Sequence, residues 1–104
     1  MNDLVKRIKG IHPGLYLARE LKKRGINKGR FALEVGEYPQ TFSAITLGNR
    51  RMNVPLALRI EQALGIEEGL LMVLQVYHDI ENEKTDNGNS PDLRKFRKVL
   101  FWDT

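Results

Sequence analysis

A short run of small and polar residues carries the side chains of this chain that could recognise a nucleic acid. The amide of Gln40 could pair with N6 and N7 of an adenine, although a solvated helix position is the alternative. The hydroxyl of Thr41 could reach a base edge or a phosphate, and Ala44 and the ring of Pro39 could pack on a thymine methyl group. With Ser43 as a further candidate, the residues predicted to contact bases are Pro39, Gln40, Thr41, Ser43 and Ala44.

Four cations flank this run, Lys28 and Arg30 before it and Arg50 and Arg51 after it. They are candidate phosphate ligands, and such contacts set affinity and register without carrying sequence information. Lys28 would lie in the first turn of a helix, where a cation is unfavourable until a phosphate arrives. The alternative for each cation is an ordinary exposed position, and we expect one of the four not to contact DNA.

Residues 27–47 predict the two short helices that would position these side chains. Apolar residues recur at helical spacing on either side of a turn at Gly36. They are Phe31, Ala32, Val35, Phe42 and Ile45. The small and polar residues then fall on the outward face of the second helix, a helix-turn-helix pattern in which that helix enters a major groove. A simple helical hairpin with a glycine turn is the alternative.

Helices are also predicted before and after this pair. The first follows His12 and Pro13 and ends at Gly25, with a buried stripe predicted from its leucine and alanine residues. These are Leu15, Leu17, Ala18 and Leu21. Asn27 is the predicted cap of the next helix, and Asn53 caps a fourth over residues 54–64 that Gly65 closes.

A fifth helix is predicted over residues 66–83. Its apolar residues exceed what one buried stripe needs, which indicates a second buried surface such as a dimer seam. Residues 84–91 are polar and predict a linker, and residues 92–104 form a basic and aromatic tail that is compatible with a helix or a strand. The predicted organisation is therefore a domain over residues 1–83, a linker over 84–91 and a tail over 92–104.

Composition limits the class of protein. The 104 residues suit one domain, and the lack of cysteine excludes disulfides, thiolate metal sites and cysteine nucleophiles. No apolar run approaches the roughly 18 residues of a membrane span, and no secretory signal is evident, so we expect a cytoplasmic protein without a membrane partner. The net charge is +4, and residues 1–30 hold nine basic and two acidic residues, which suits a nucleic-acid-binding face.

The segments IHPGLYLARELKKRG, PQTFSAI, GNRRMNVPLALRIEQALGI and LQVYHDI resemble HigA/VapI-type antitoxins of the XRE class. The resemblance covers roughly three quarters of the chain, from Ile11 to Glu83. It implies an all-α, five-helix, lambda-repressor-like helix-turn-helix domain, here with a short C-terminal tail. It also implies homodimeric binding to double-stranded operator DNA, repression of the protein's own operon, and pairing with an mRNA-cleaving toxin.

Several positions depart from the pattern of that family. Leu15 replaces an acidic residue, Glu37 an apolar one and Tyr38 a capping serine, while Lys28 stands where glutamine is usual. Ala44 replaces a long polar side chain, and Leu47 stands where asparagine often precedes the glycine. These departures concern operator sequence and base recognition rather than the fold. For Tyr38 the sequence leaves two roles open, a ring that covers the turn or a hydroxyl that reaches a phosphate.

The sequence also bears on classes of function other than a DNA-binding repressor. His12 and His78 lie far apart in sequence without a metal-ligand or nucleophile pattern, so neither catalysis nor a cofactor is predicted. We expect His12 to cap or pack at a helix start and His78 to lie on the surface. A protein-interaction module that binds a toxin with weak DNA binding, and a solitary XRE-type regulator, remain open alternatives.

Overall fold

The computed structural model describes residue 7 and residues 10–87 of the chain. Within that part, the chain forms five α-helices and no strand, so the predicted all-α, five-helix fold is confirmed. The helices are α1 (Pro13–Lys23), α2 (Lys28–Glu34), α3 (Pro39–Thr46), α4 (Val54–Leu64) and α5 (Leu70–Asn87). None of these helices is long and apolar enough to span a membrane.

Side chains cap three of the helices as their sequences predicted. The side-chain oxygen of Asn27 accepts from the backbone N–H of Arg30 at 2.9 Å, and that of Asn53 accepts from Leu56 at 2.9 Å. At α1 the cap is His12, whose Nδ1 accepts from the backbone N–H of Gly14 at 2.8 Å. Each cap satisfies a backbone donor that has no partner within its own helix.

The apolar faces of the helices share one core. All five core residues predicted for the helix-turn-helix are buried, and side chains from α1, α4, α5 and the turn before α4 complete the cluster. The added residues are Leu17, Leu21, Met52, Leu56, Ala57, Ile60, Leu64 and Leu71. Phe31 and Phe42 meet edge to face with ring centroids 5.9 Å apart, which ties α2 to α3 at the centre of the domain.

The buried stripe of α1 differs from its prediction. Leu15 is 40% exposed and Ala18 is half-buried, whereas Gly14, Leu17 and Leu21 are buried. Residues three and four apart on a helix share a face, so a stripe centred on Gly14 turns Leu15 about 100° away from it. The periodicity of α1 was therefore right, but the phase assigned at its first turn was wrong.

Helix α5 begins and ends four residues later than predicted. The backbone N–H groups of Gly69 and Leu71 donate to the two carboxylate oxygens of Glu61 at 3.0 and 2.9 Å. Glu61 lies on α4 and is only 2% exposed, so a buried side chain from another helix caps α5 and determines where it starts. The helix continues through residues 84–87, the first half of the predicted linker, while residues 88–104 lie outside the described part. The division into domain, linker and tail stays a prediction.

Candidate nucleic-acid interface

Helix α3, the predicted recognition helix, is anchored by its inner face. Phe42 and Ile45 are almost fully buried, and Thr46 turns its hydroxyl inward to donate to the backbone oxygen of Ser43 at 2.9 Å. The side chain of Thr46 is therefore satisfied within the helix itself. Anchoring on one face leaves the opposite face of α3 directed away from the core.

The C-terminal part of α3 packs closely against the start of α1. A Cβ atom placed on Gly14 would lie 1.6 Å from the backbone oxygen of Ile45, far inside van der Waals contact. Only a residue without a side chain permits this approach. The orientation of α3 therefore depends on Gly14, a position that the helical pattern of α1 does not single out.

The predicted base-contacting residues all lie on the outer surface of α3 or at its sides. Pro39 and Gln40 are exposed in its first turn, and Thr41, Ser43 and Ala44 are half-buried. Lys28 Nζ donates to Ser43 Oγ at 3.4 Å, which brings a predicted phosphate ligand from α2 beside the recognition helix. The five residues thus share one surface with at least one of the four cations.

The N-terminus of α3 has no side-chain cap of the usual kind. Tyr38 occupies the cap position without a side-chain hydrogen bond to the helix, and its own backbone N–H donates to Glu37 Oε1 at 2.9 Å. The Tyr38 side chain is 80% exposed, so its ring does not cover the turn. Of the two roles that the sequence left open, contact with a phosphate is the one compatible with this exposure.

The four predicted phosphate ligands differ in their surroundings. Lys28, Arg30 and Arg50 are exposed and precede or follow α3 in the sequence, whereas Arg51 forms an ion pair with Asp79 on α5. Burial alone would raise the pKa of Asp79, but hydrogen bonds from Arg51 and Gln75 lower it below its ordinary value. Arg51 is therefore already engaged by a carboxylate, whereas its contact with DNA stays a prediction.

A buried glutamine fixes the turn that carries the two arginines. Gln75 is almost fully buried, its Oε1 accepts from the backbone N–H of Met52 at 3.0 Å, and its Nε2 donates to Asp79 at 3.0 Å. Neither Gln75 nor Asp79 was predicted from the sequence to have this role. Their spacing of four residues on a helix is the one signal that could have indicated a side-chain pair.

His12 and His78 meet across the same turn, which the sequence did not predict. Their ring centroids are 4.9 Å apart in an edge-to-face arrangement, and His78 Nδ1 lies 3.2 Å from the backbone oxygen of Gly10. His78 is half-buried rather than fully exposed, because α5 packs one side of its ring against the start of α1. Burial and the neighbouring His78 lower the pKa of His12, and the backbone hydrogen bond to Arg50 opposes them only partly.

This arrangement makes His12 a structural residue. Its Nδ1 must be unprotonated to accept from Gly14, and its ring is also hydrogen-bonded to the backbone of Arg50. The predicted role of capping and packing at a helix start is confirmed. Among the residues that the structure describes, no group of three or more His, Cys, Asp or Glu side chains is placed to hold a metal ion.

Comparison with known proteins finds similarity to a solved structure. No protein-family model matches the chain, and no curated protein matches it. A crystal structure from Nostoc punctiforme PCC 73102 is similar, with 28% sequence identity and a TM-score of 0.71. The match covers 88% of this chain and 96% of that chain, a protein named as an antidote of a plasmid maintenance system. The similarity therefore extends over nearly the whole of both chains.

Proposed function

We propose that this protein is a homodimeric, sequence-specific repressor that binds double-stranded operator DNA through α3. The observation that supports this most is the placement of α3, whose inner face is buried and whose outer face is directed away from the core. Lys28 contacts this helix, and exposed Arg30 and Arg50 lie in the segments before and after it. Its eight residues span about 12 Å at about 1.5 Å per residue, which suits a major groove about 12 Å wide.

In this proposal the side chains of the interface have distinct roles. Gln40 pairs with an adenine, and Pro39, Thr41, Ser43 and Ala44 contact neighbouring base edges or thymine methyl groups. Lys28, Arg30, Arg50 and Arg51 bind phosphates, with Arg51 first exchanging its contact with Asp79 for a phosphate oxygen. Because that exchange replaces one anion with another, Arg51 adds less affinity than the other three cations, which have no such ion pair among the described residues.

We infer a dimer from the size of the interface and from an apolar groove on α5. A single DNA-binding module of this size buries only about 600–1,000 Å² on DNA, so two copies on a two-fold operator give the affinity a repressor needs. A groove of about 400 Å³ on α5 is lined by Met72, Val73, Val76, Tyr77 and Ile80. Val76 is 55% exposed there, and a second copy would bury this face. In the proposed dimer each of the two recognition helices contacts one half-site of a two-fold operator.

We further propose that the protein is the antitoxin of a HigBA-like toxin–antitoxin pair and represses its own operon. Two findings support this role: the resemblance of residues 11–83 to HigA/VapI-type antitoxins and the similarity to the Nostoc antidote protein. In this proposal the domain spans residues 1–83, residues 84–91 join it to the tail, and the tail (residues 92–104) binds the toxin or stabilises the dimer.

A protein-interaction module with weak DNA binding is the second candidate. The observation that favours it is the same apolar groove on α5, which could be covered by a toxin instead of a second copy. The two candidates differ in what they predict for purified protein alone. The repressor predicts that the purified protein forms a dimer without a toxin. Sedimentation equilibrium should show this dimer in wild type and its dissociation in Val76→Glu.

The test of DNA recognition is a titration against DNA from the protein's own promoter, with a scrambled duplex of equal composition, at two salt concentrations. Gln40→Ala is expected to lose the preference for the promoter. Arg50→Ala combined with Arg51→Ala is expected to weaken binding to both duplexes and to make the salt dependence shallower. We expect about eight phosphate contacts in a dimer. A plot of the logarithm of the wild-type binding constant against the logarithm of the salt concentration should then have a slope of about −7.

Lys84→Ala is the matched control, because Lys84 is an exposed cation on α5 outside the four flanking residues. It should leave the salt slope and the promoter preference unchanged. Equal and weak binding of wild-type protein to both duplexes would refute the repressor and favour the interaction module.

A further inference from the structure

The outer surface of the recognition helix carries no charged side chain. The chain has no Asp, Glu, Lys or Arg from Tyr38 to Asn49, a segment that includes all of α3. The commonest specific contact to guanine is made by arginine or lysine to O6 and N7 in the major groove. Helix α3 therefore has no side chain suited to that contact, and its hydrogen-bonding capacity toward bases is small.

Hydrogen bonds within the protein reduce that capacity further. Ser43 Oγ already accepts from Lys28 Nζ, and the Thr46 hydroxyl is buried and donates to the backbone. Gln40 is left as the one residue of α3 with an exposed side-chain amide. An amide of this kind pairs with adenine, so the polar part of the surface favours an A·T pair.

Leu47 extends this surface with a large apolar side chain. It follows Gln40 by seven residues, and its backbone N–H donates to the oxygen of Ser43 at 3.0 Å, so the helical geometry continues to this position. Seven residues at 100° each return to within about 20° of the starting direction, which places Leu47 on the face of Gln40. Ala44 lies between them on the same face. Leu47 is nevertheless 61% exposed, so the core does not account for it.

We propose that Leu47 is a specificity-determining residue and that Ala44 and Leu47 contact the methyl groups of thymines in the operator. The thymine C5-methyl is the apolar group that unmodified DNA presents in the major groove. Each half-site should then hold A·T pairs where α3 lies, with an adenine opposite Gln40 and thymine methyl groups opposite the apolar pair. This inference rests on the proposed DNA-binding function and specifies the DNA that it recognises.

Replacement of thymine by deoxyuridine tests this directly, because it removes the methyl group and keeps base pairing and hydrogen-bonding groups. The probes are the promoter duplex and the same duplex in which deoxyuridine replaces every thymine of the half-sites. A footprinting assay with wild-type protein defines these half-sites. Wild-type protein should bind the deoxyuridine duplex about fourfold more weakly for each contacted methyl group. Leu47→Ala should weaken binding to the thymine duplex. It should also reduce the ratio of the binding constants for the thymine and deoxyuridine duplexes.

Leu33→Ala is the matched control, since Leu33 is another leucine, 67% exposed, on α2. It should bind both duplexes as wild type does, and circular dichroism should show all three proteins equally folded. If wild type prefers its promoter over scrambled DNA but binds both thymine and deoxyuridine duplexes equally, methyl recognition is wrong while the repressor stands. If Leu47→Ala has the same ratio of binding constants for the two duplexes as wild type, the proposed role of Leu47 is wrong. Failure of wild type to prefer its promoter overturns both proposals.

Discussion

The contact between Gly14 and α3 leads to a quantitative prediction about stability. In Gly14→Ala, the new methyl group would start 1.6 Å from the backbone oxygen of Ile45 and 3.0 Å from Nδ1 of His12. Cβ atoms do not approach other heavy atoms closer than about 3.0 Å, so α1 and α3 must separate by more than 1 Å at this point. The clash involves backbone, and no rotation of a side chain can relieve it.

Overpacking of this kind costs about 1–3 kcal/mol, and we expect the upper end because two helices must move. Alanine is intrinsically better than glycine in a helix by up to about 1 kcal/mol, which partly offsets the clash. Gly29→Ala measures that offset separately. Gly29 lies in the first turn of α2, where a Cβ would be 3.5 Å from Asn27 Oδ1, an ordinary contact.

Urea denaturation followed by circular dichroism measures both variants. Gly29→Ala should equal or exceed the wild type in free energy of unfolding, and Gly14→Ala should fall about 3 kcal/mol below Gly29→Ala. For a domain of this size the same difference lowers the melting temperature by about 12 °C or more. Promoter affinity of Gly14→Ala should also fall, because α3 is displaced. Equal stability of the two variants would refute the close approach of α1 and α3.

Two further predictions concern buried polar groups. Glu61→Ala should lower the free energy of unfolding by about 2–5 kcal/mol, because one buried and one partly buried backbone N–H group at the start of α5 lose their acceptor. Glu61→Gln should lower it less in the same urea titration, since an amide oxygen still serves one of them; equal losses would contradict the capping role. The second prediction concerns His12, whose lowered pKa means that its neutral form stabilises the fold. Its contribution to the free energy of unfolding should be fully present above a pH of about 6.5. It should then fall as the pH decreases, by up to about 1.4 kcal/mol per pH unit. Urea denaturation of His12→Asn between pH 7.5 and 5 should show a smaller decrease in the free energy of unfolding than wild type. An equal decrease in the two proteins would show that His12 does not cause it.

Local signals in the sequence were sufficient for most of the helices. Asn27, Asn53 and Gly65 mark helix ends through side-chain hydrogen bonds or backbone conformation within a few residues, and all three have these roles in the structure. The core of the helix-turn-helix was also predictable, because apolar residues at helical spacing must share a buried face. These features need no knowledge of which helices pack together.

Contacts between distant helices decided the rest. The start of α5 depends on Glu61 of α4, and the phase of the α1 stripe depends on the approach of Gly14 to α3. The pairing of His12 with His78 likewise joins residues from opposite ends of the domain. Each of these features requires two helices to be placed relative to each other, and helical periodicity carries no information about that placement. The sequence by itself therefore determined which helices form and which faces are apolar, while the tertiary structure decided how the recognition helix is held and which polar side chains support it.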